Sequence, residues 1–219
     1  MIVVIGLLFL ANLAGIVSTY VFDHGSLFGL VGLFRLNSEK NIPTLYSSLQ
    51  LITASGLLYC IARKLKSLNR NYWPWFILAT IFVFLAIDET SEIHERLPVL
   101  FIDRSQQSGL LNFPWVVSYG TAALLIGIAY LRFLFQLPRH IASLFVASGT
   151  VYVVGAIGLE MLGGRHSEIH GQQNLAYALF YSCEELLEML GIALFIYALL
   201  VFICSEYRSF RCTIRSITR

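Results

Sequence analysis

Acidic side chains recur at short spacings in two apolar stretches of the chain, where carboxylates are costly. Asp88, Glu92 and Glu95 follow one another at four- and three-residue steps, and Glu184 and Glu188 repeat the four-residue step near the end of the chain. Residues three and four apart share one face of an α-helix. Carboxylates that several helices direct to one place are able to bind a metal ion or to exchange protons with a substrate.

The acid pattern predicts a metal site with an adjacent proton carrier. Five acids are expected to bind a divalent metal ion, namely Asp88, Glu92, Glu160, Glu184 and Glu188. Glu185 or Glu95 is the expected catalytic proton carrier. Carboxylates with nearby histidine suit zinc, iron or manganese, but the sequence contains no Glu-x-x-His motif of the kind found in di-iron bundles, so the spacing does not select one metal. An open coordination position would activate water against a lipid or isoprenoid head group.

The composition places these acids in a membrane protein. Of the 219 residues, 57% are apolar and only 13% are charged, and the mean hydropathy is +0.72. An average soluble domain carries about 25% charged residues. The charged residues are therefore too few to cover a water-facing surface, and the 16 Phe and 11 Tyr exclude a disordered chain. We expect no nucleic-acid partner, because the basic tail is short and is typical of a membrane exit.

Six segments are each apolar over about 20 residues, the length that crosses a bilayer. They cover residues 1–22, 43–62, 74–95, 114–136, 138–162 and 174–204. Pro43, Pro74 and Pro114 each follow an asparagine closely, which is typical of a helix N-terminus. We therefore predict an all-α fold, a single domain over residues 1–219 that forms a bundle of six transmembrane helices. The apolar loop at 27–34 is expected to be a short interfacial helix or a re-entrant flap.

The basic residues predict the orientation of the bundle. Ten of the fifteen Lys and Arg residues fall on the side that carries both termini, including the tail residues Arg208, Arg211, Arg215 and Arg219. The positive-inside rule therefore predicts cytoplasmic termini. Of the thirteen acids, only Glu206 is on that side, and four of the five histidines accompany the acids. The acid cluster is thus expected in the exoplasmic half of the membrane.

Depth along the helices favours a common site for the acids. A rise of 1.5 Å per residue places Glu92, Glu160 and Glu184 near the exoplasmic interface, and Asp88 and Glu188 one turn deeper. Two arginines, Arg96 and Arg165, are too few to neutralise eight nearby acids, so protons or a bound cation must do so.

Neighbouring polar and aromatic residues have predicted positions of their own. His94 points away from the Asp88 face if the helix continues regularly, and His166 and His170 are expected in an exposed loop. Trp115 and the nearby tyrosines, Tyr177 and Tyr181, are expected in the interfacial aromatic belt. Small residues in the fifth span, such as Gly155, are expected at a close helix contact.

Three classes of function follow from the acid cluster. The leading hypothesis is a metal-dependent membrane enzyme that acts on a lipid-like substrate, with membrane lipid as its surroundings. The alternative is a transporter or sensor of cations or protons, although the spans offer few polar residues towards the cytoplasmic side. The third is an accessory structural subunit of a membrane complex, in which the acids hold helices together.

Overall fold

The computed structural model describes residues 1–38, 40–96 and 108–206, and none of these residues forms a β-strand. The α-helices in the described part of the chain are α1 (Ile2–Tyr20), α2 (Leu30–Phe34), α3 (Ile42–Ser67), α4 (Trp73–Ser91), α5 (Ile93–Arg96), α6 (Pro114–Leu134), α7 (Arg139–Val153), α8 (Glu160–His170) and α9 (Leu175–Glu206). Short 3-10 turns at Leu27–Gly29 and Gly109–Leu111 precede α2 and α6, and a π-helical segment at Val154–Leu159 joins α7 to α8.

Six of these helical stretches are long and apolar enough to cross a membrane, which confirms the predicted all-α bundle. They are α1, α3, α4, α6, the continuous α7–α8 helix and α9. We call the end of the bundle at Ser91, Pro114 and Leu175 the acidic end, and the opposite end the basic end. Arg104 and the tail arginines, Arg208, Arg211, Arg215 and Arg219, lie outside the described residues.

Two predicted helix boundaries are wrong. The fifth spanning helix continues to His170, so His166 and His170 lie in α8 and not in an exposed loop. The third spanning helix ends at Ser91, because Glu92 adopts a left-handed conformation with φ of 56°. Both differences change where nearby polar side chains point.

The central helix of the bundle is α9, which packs against α1, α3, α7 and α8. Its contact with the α7–α8 helix is a backbone-to-backbone approach at two glycines. A Cβ atom at Gly155 would lie 2.9 Å from the carbonyl oxygen of Glu184, and one at Gly191 would lie 2.8 Å from the amide nitrogen of Tyr152. The predicted role of Gly155 in close packing is therefore confirmed.

An aromatic layer fills the core towards the basic end. The Trp75 ring stacks on Phe202 at 4.6 Å between centroids and meets the edges of Phe133 and Phe145 at 5.1 and 6.0 Å. Aromatic pairs in these geometries add to the stabilisation that burial of their area provides. The layer joins α4, α6, α7 and α9 at one level.

Near the acidic end, one buried amide ties α1 to two other elements. The Asn12 side chain donates to Ser182 Oγ at 2.8 Å and accepts from the Leu36 amide at 3.0 Å, and only 2% of the residue is exposed. The short α2 helix lies on α1, where Val31 packs beside Gly15. The apolar loop thus contains a short helix, which fits the first of its two predicted forms.

Helix α6 is the least buried of the six spanning helices. Only Pro114, Trp115, Val116 and Phe133 are buried along its length. Two tyrosines tie it to α4: the Tyr119 hydroxyl donates to Asp88 Oδ1 at 3.1 Å, and the Tyr130 hydroxyl donates to the Pro74 carbonyl at 2.9 Å. Tyr130 follows Tyr119 by eleven residues, which corresponds to about 16 Å at the α-helical rise.

Candidate functional site

A cavity of about 1770 Å³ lies between α4, α6, α7 and α9, and we call it the main cavity. Its walls change character along the helices. Near the acidic end they carry eight acids, namely Asp88, Glu89, Glu92, Glu95, Glu160, Glu184, Glu185 and Glu188. Towards the basic end they are formed by apolar side chains such as Leu78, Phe82 and Phe195. Leu78 precedes Asp88 by ten residues, which corresponds to about 15 Å along α4.

Two glutamates from different helices meet in this cavity. The Glu160 and Glu184 carboxyl groups lie within interaction range of each other, and Glu184 is only 9% exposed. Two buried carboxylates this close repel each other, and a proton shared between them would relieve the repulsion and allow a hydrogen bond. The structure thus places these two predicted site residues near each other, and their role as metal ligands stays a prediction.

The π-helical segment explains why Glu160 faces Glu184. The wider π-turns end directly before Glu160, and they change the helical register by one residue relative to a regular α-helix. One residue corresponds to about 100° around the axis, which moves the Glu160 side chain to the side of the helix that faces α9. Gly155, within the same segment, allows the close approach that the pair requires.

A second polar pair is formed by Asp88 and His94. The His94 Nδ1 atom lies 3.2 Å from Asp88 Oδ2, and the His94 amide donates to Asp88 Oδ1 at 2.7 Å. The carboxylate accepts only, so the imidazole proton sits on Nδ1 and Nε2 is left for chemistry. Tyr119 donates a further hydrogen bond to Asp88, which is 5% exposed.

The break at Glu92 brings His94 to Asp88, against the prediction for a regular helix. The left-handed Glu92 ends α4, and the amide of Glu92 bonds to the Asp88 carbonyl at 2.8 Å. The next turn, α5, returns the imidazole towards α4. Burial lowers the pKa of His94, but the hydrogen bond and charge of Asp88, helped by Glu95 and Glu89, outweigh burial and raise it above its ordinary value.

Trp115 lies between the two pairs. Its indole Nε1 donates to Glu160 Oε1 at 3.3 Å, and its ring meets the His94 ring with centroids 5.0 Å apart. The prediction that Trp115, Tyr177 and Tyr181 belong to the interfacial belt is wrong, because all three are buried in the protein. Their polar atoms are therefore available to the interior.

Glu92 lies at the rim of the cavity and is separate from both pairs. Its carboxylate bonds Arg96 at 2.6 Å and lies 3.5 Å from the Lys40 ammonium. The hydrogen bond from Arg96 lowers the pKa of Glu92 more than burial raises it, and the charges of Arg96 and Lys40 lower it further. Glu92 is therefore a carboxylate neutralised by two basic residues.

Three further predicted residues line the cavity at other places. Glu188 and Glu185 lie within electrostatic reach of Tyr152, and Glu95 acts electrostatically on Glu160 and His94. Among the described residues, no three His, Cys, Asp or Glu side chains are arranged to hold one metal ion. The expected ligands are divided between the glutamate pair, Asp88 with His94, and Glu92 at the rim. The divalent metal ion stays a prediction.

His94, Tyr119 and Trp115 are the site residues that sequence analysis did not assign. The signal for His94 was present in the sequence, since it follows Asp88 by six residues and a helix break between them was an open possibility. Tyr119 and Trp115 carry no such signal, because an aromatic residue near a helix end is as typical of the membrane interface.

Comparison with known proteins identifies the family. Residues 1–202 match a family described as a domain of unknown function, DUF8692, and the chain belongs to it. The match includes all eight acids that line the main cavity. No curated protein and no solved structure matches the chain.

Proposed function

We propose that the protein is a membrane enzyme that binds a lipid-like substrate in the main cavity and transfers protons to and from its polar head. The observation that carries the proposal is the position of the Glu160–Glu184 pair and the Asp88–His94 pair. They lie at one end of a cavity whose opposite end is mostly apolar. Such a cavity with a few convergent polar groups is typical of a ligand site.

The shape of the cavity supports an amphipathic substrate. Ligand pockets in proteins commonly enclose about 300–1,000 Å³, and the main cavity is larger. The apolar part of the cavity, beside Leu78 and Phe82, suits the hydrocarbon tail of a lipid. The acidic end suits a polar head group that donates hydrogen bonds. The substrate thus lies with its tail towards the basic end.

The two pairs supply opposite partners for proton transfer. Glu160 and Glu184 share one proton. The pair donates this proton when a substrate oxygen replaces one of the two carboxyl groups as its acceptor. His94, oriented by Asp88, offers Nε2 as the acceptor on the other side of Trp115. The burial of Asp88 and Glu184 strengthens the electrostatic interactions of both pairs.

The metal-dependent form of this hypothesis is tested by metal analysis of the purified protein. A stoichiometric ion in the wild type that Glu188→Ala removes would support a metal-dependent reaction. Its absence from both would leave the acid–base reaction. The proposed orientation has the acidic end at the exoplasmic side and both termini in the cytoplasm, on the basis of the distribution of Lys and Arg.

Transport of a cation or a proton has less support. The route towards the basic end passes the aromatic layer of Trp75, Phe133 and Phe145, whose side chains offer no oxygen ligand to a moving cation. An accessory subunit would not require a cavity of this size. Both alternatives predict that the purified protein turns over no lipid.

Lipid binding is tested by filling the cavity. Gly149 lines the main cavity, and a Cβ atom there would meet nothing within 4 Å, as is also true of Gly56 outside the cavity. We expect native mass spectrometry to detect lipid bound to the wild type and to Gly56→Phe, but not to Gly149→Phe. Lipid retained equally by Gly149→Phe would contradict binding in the main cavity.

Turnover is tested with His94→Asn, a variant that lacks the imidazole of the proposed proton acceptor. Wild type and His94→Asn are incubated with a total extract of host membrane lipids, and the products are followed by mass spectrometry. We expect at least one lipid species to be converted by the wild type and left unchanged by His94→Asn. No conversion by the wild type would count against an enzyme and would leave a lipid-binding protein.

A further inference from the structure

A second cavity, of about 560 Å³, lies between α1, α2 and the start of α9 at the acidic end. The proposed reaction does not use it. Its walls carry both polar and apolar groups, and it adjoins the main cavity, since Asn37, Gln172 and Tyr177 line both. A group that enters the second cavity is therefore next to the acidic end of the main cavity.

Two buried tyrosines point to a polar ligand in this second cavity. Tyr177 is 7% exposed and Tyr181 is 9% exposed, and both line the cavity. Their rings meet at 70° with centroids 5.9 Å apart. Among the described residues, the one fully buried side-chain polar atom without a partner is Gln50 Oε1, so the hydroxyls of Tyr177 and Tyr181 are accessible from the cavity that both residues line. A ligand in the cavity would satisfy both.

The backbone that carries Arg35 into this cavity is held in place from both sides. The Arg35 carbonyl accepts from Asn41 Nδ2 at 2.6 Å, and the next amide, that of Leu36, donates to the buried Asn12. The Arg35 guanidinium lies within electrostatic reach of the Tyr181 hydroxyl. The backbone that carries the Arg35 side chain is therefore fixed before any ligand arrives.

The balance of charge selects the chemical class of the ligand. Among the described residues, Arg35 is the only Lys or Arg that lines either cavity, and Asp23 is the only acid that lines the second. A phosphate is an anion that the Asp23 carboxylate would repel, whereas the amides of Gln172 and Gln173 can donate or accept and so suit either ligand. A sugar or other polyol has hydroxyls that both donate and accept, which matches carboxylate, guanidinium, amide and phenol groups together.

We propose that the second cavity binds a polyhydroxylated head group, so that the substrate is a glycosylated or polyol lipid whose tail lies in the main cavity. This inference rests on the proposed function, because the main cavity must hold the tail. Tyr177, in the wall common to both cavities, lies beside the point where head and tail join.

The test uses the full chain in phosphatidylcholine nanodiscs that contain equal small fractions of a monohexosyl diacylglycerol, a diacylglycerol and a phosphatidic acid with the same acyl chains. Native mass spectrometry measures which lipid the released protein retains. The variants are Tyr181→Phe and Arg35→Gln, which remove donors with little change of shape. Thermal unfolding checks that each variant is folded.

We expect the wild type to retain the hexosyl lipid in preference to the diacylglycerol. Loss of one hydrogen bond in Tyr181→Phe is expected to reduce that preference about two- to tenfold, and retention of the diacylglycerol is expected to be unchanged. Arg35→Gln should reduce the preference at least as much, since bonds to a charged donor are stronger.

The possible failures are distinguishable. No retained lipid of any kind would refute the proposed function together with this inference. Retention of hexosyl lipid and diacylglycerol in equal amounts would refute only the inference. A preference for phosphatidic acid that Arg35→Gln abolishes would replace the polyol by an anion, and would also overturn the proposal.

Discussion

The imidazole Nδ1 of His94 lies 3.2 Å from the Oδ2 atom of Asp88, although residues six apart lie on different faces of a regular helix. The contact exists because Glu92 interrupts the helix between them. A regular helix would direct the two side chains to different sides, whereas here Asp88 orients the His94 ring. Tyr119 also donates a hydrogen bond to Asp88.

The His94 pair predicts that stability depends on pH. The pKa of His94 is raised in the folded protein above the ordinary value of 6.5, so the folded state holds this proton more tightly than the unfolded state. The stabilisation is fully present below pH 6.5 and is lost as the pH rises through the higher pKa of the folded state. We expect the difference in melting temperature between wild type and His94→Asn to shrink as the pH rises in that range. A difference that grows with pH would contradict the assignment.

The proposal that Glu160 and Glu184 share a proton predicts an infrared signal. A protonated carboxyl group has a carbonyl stretch distinct from that of a carboxylate. We expect this band in the wild type at neutral pH and a marked reduction in Glu184→Gln. Glu168→Gln, which changes an acid outside the main cavity, is the control and should leave the band intact. An unchanged band in Glu184→Gln would show that the proton is elsewhere.

The close approach of α9 to α7 predicts a destabilising glycine substitution. A Cβ atom at Gly191 would lie 2.8 Å from a backbone nitrogen of Tyr152, which cannot move aside as a flexible side chain can. We expect Gly191→Ala to lower the free energy of unfolding by about 1–3 kcal/mol. Gly56→Ala, where a Cβ meets nothing within 4 Å, should instead be neutral or stabilising by up to about 1 kcal/mol. Equal effects of the two would contradict the predicted contact.

The proposed orientation predicts the pattern of cysteine labelling in intact cells. In a variant without native cysteines, a membrane-impermeant maleimide should label Gln173→Cys at the acidic end. It should not label Asn69→Cys, in the loop between α3 and α4, until the cells are permeabilised. The reverse pattern would place the acidic end in the cytoplasm and exclude an exoplasmic site.

The architecture was largely predictable from the sequence, and the directions of the site residues were not. Apolar length alone predicts six spanning helices, and the helix starts at Pro43, Pro74 and Pro114 follow from local chemistry. The π-helical segment and the left-handed Glu92 depend on tertiary packing, and no periodic pattern reports them.

Depths counted along regular helices explain why the positions of the site glutamates were only partly predictable. Counting residues placed Glu160 and Glu184 at one level, and the structure brings them together. The same counting placed Glu92 with them, because the helix was assumed to continue. Lys40 and Arg96 instead bond Glu92 at the rim, and neither partner is in the apolar spans from which the depths were counted.

The sparse packing of α6 has a consequence for how a substrate would arrive. This helix is tied to α4 by the hydroxyls of Tyr119 and Tyr130, one near each end, and its outward face carries Leu124, Leu125 and Ile128. A hydrophobic molecule diffusing in the plane of the bilayer meets this side of the cavity directly and need not first dissolve in water. Its supply would then depend on its mole fraction among the surrounding lipids, so membrane composition would set how often the cavity is filled.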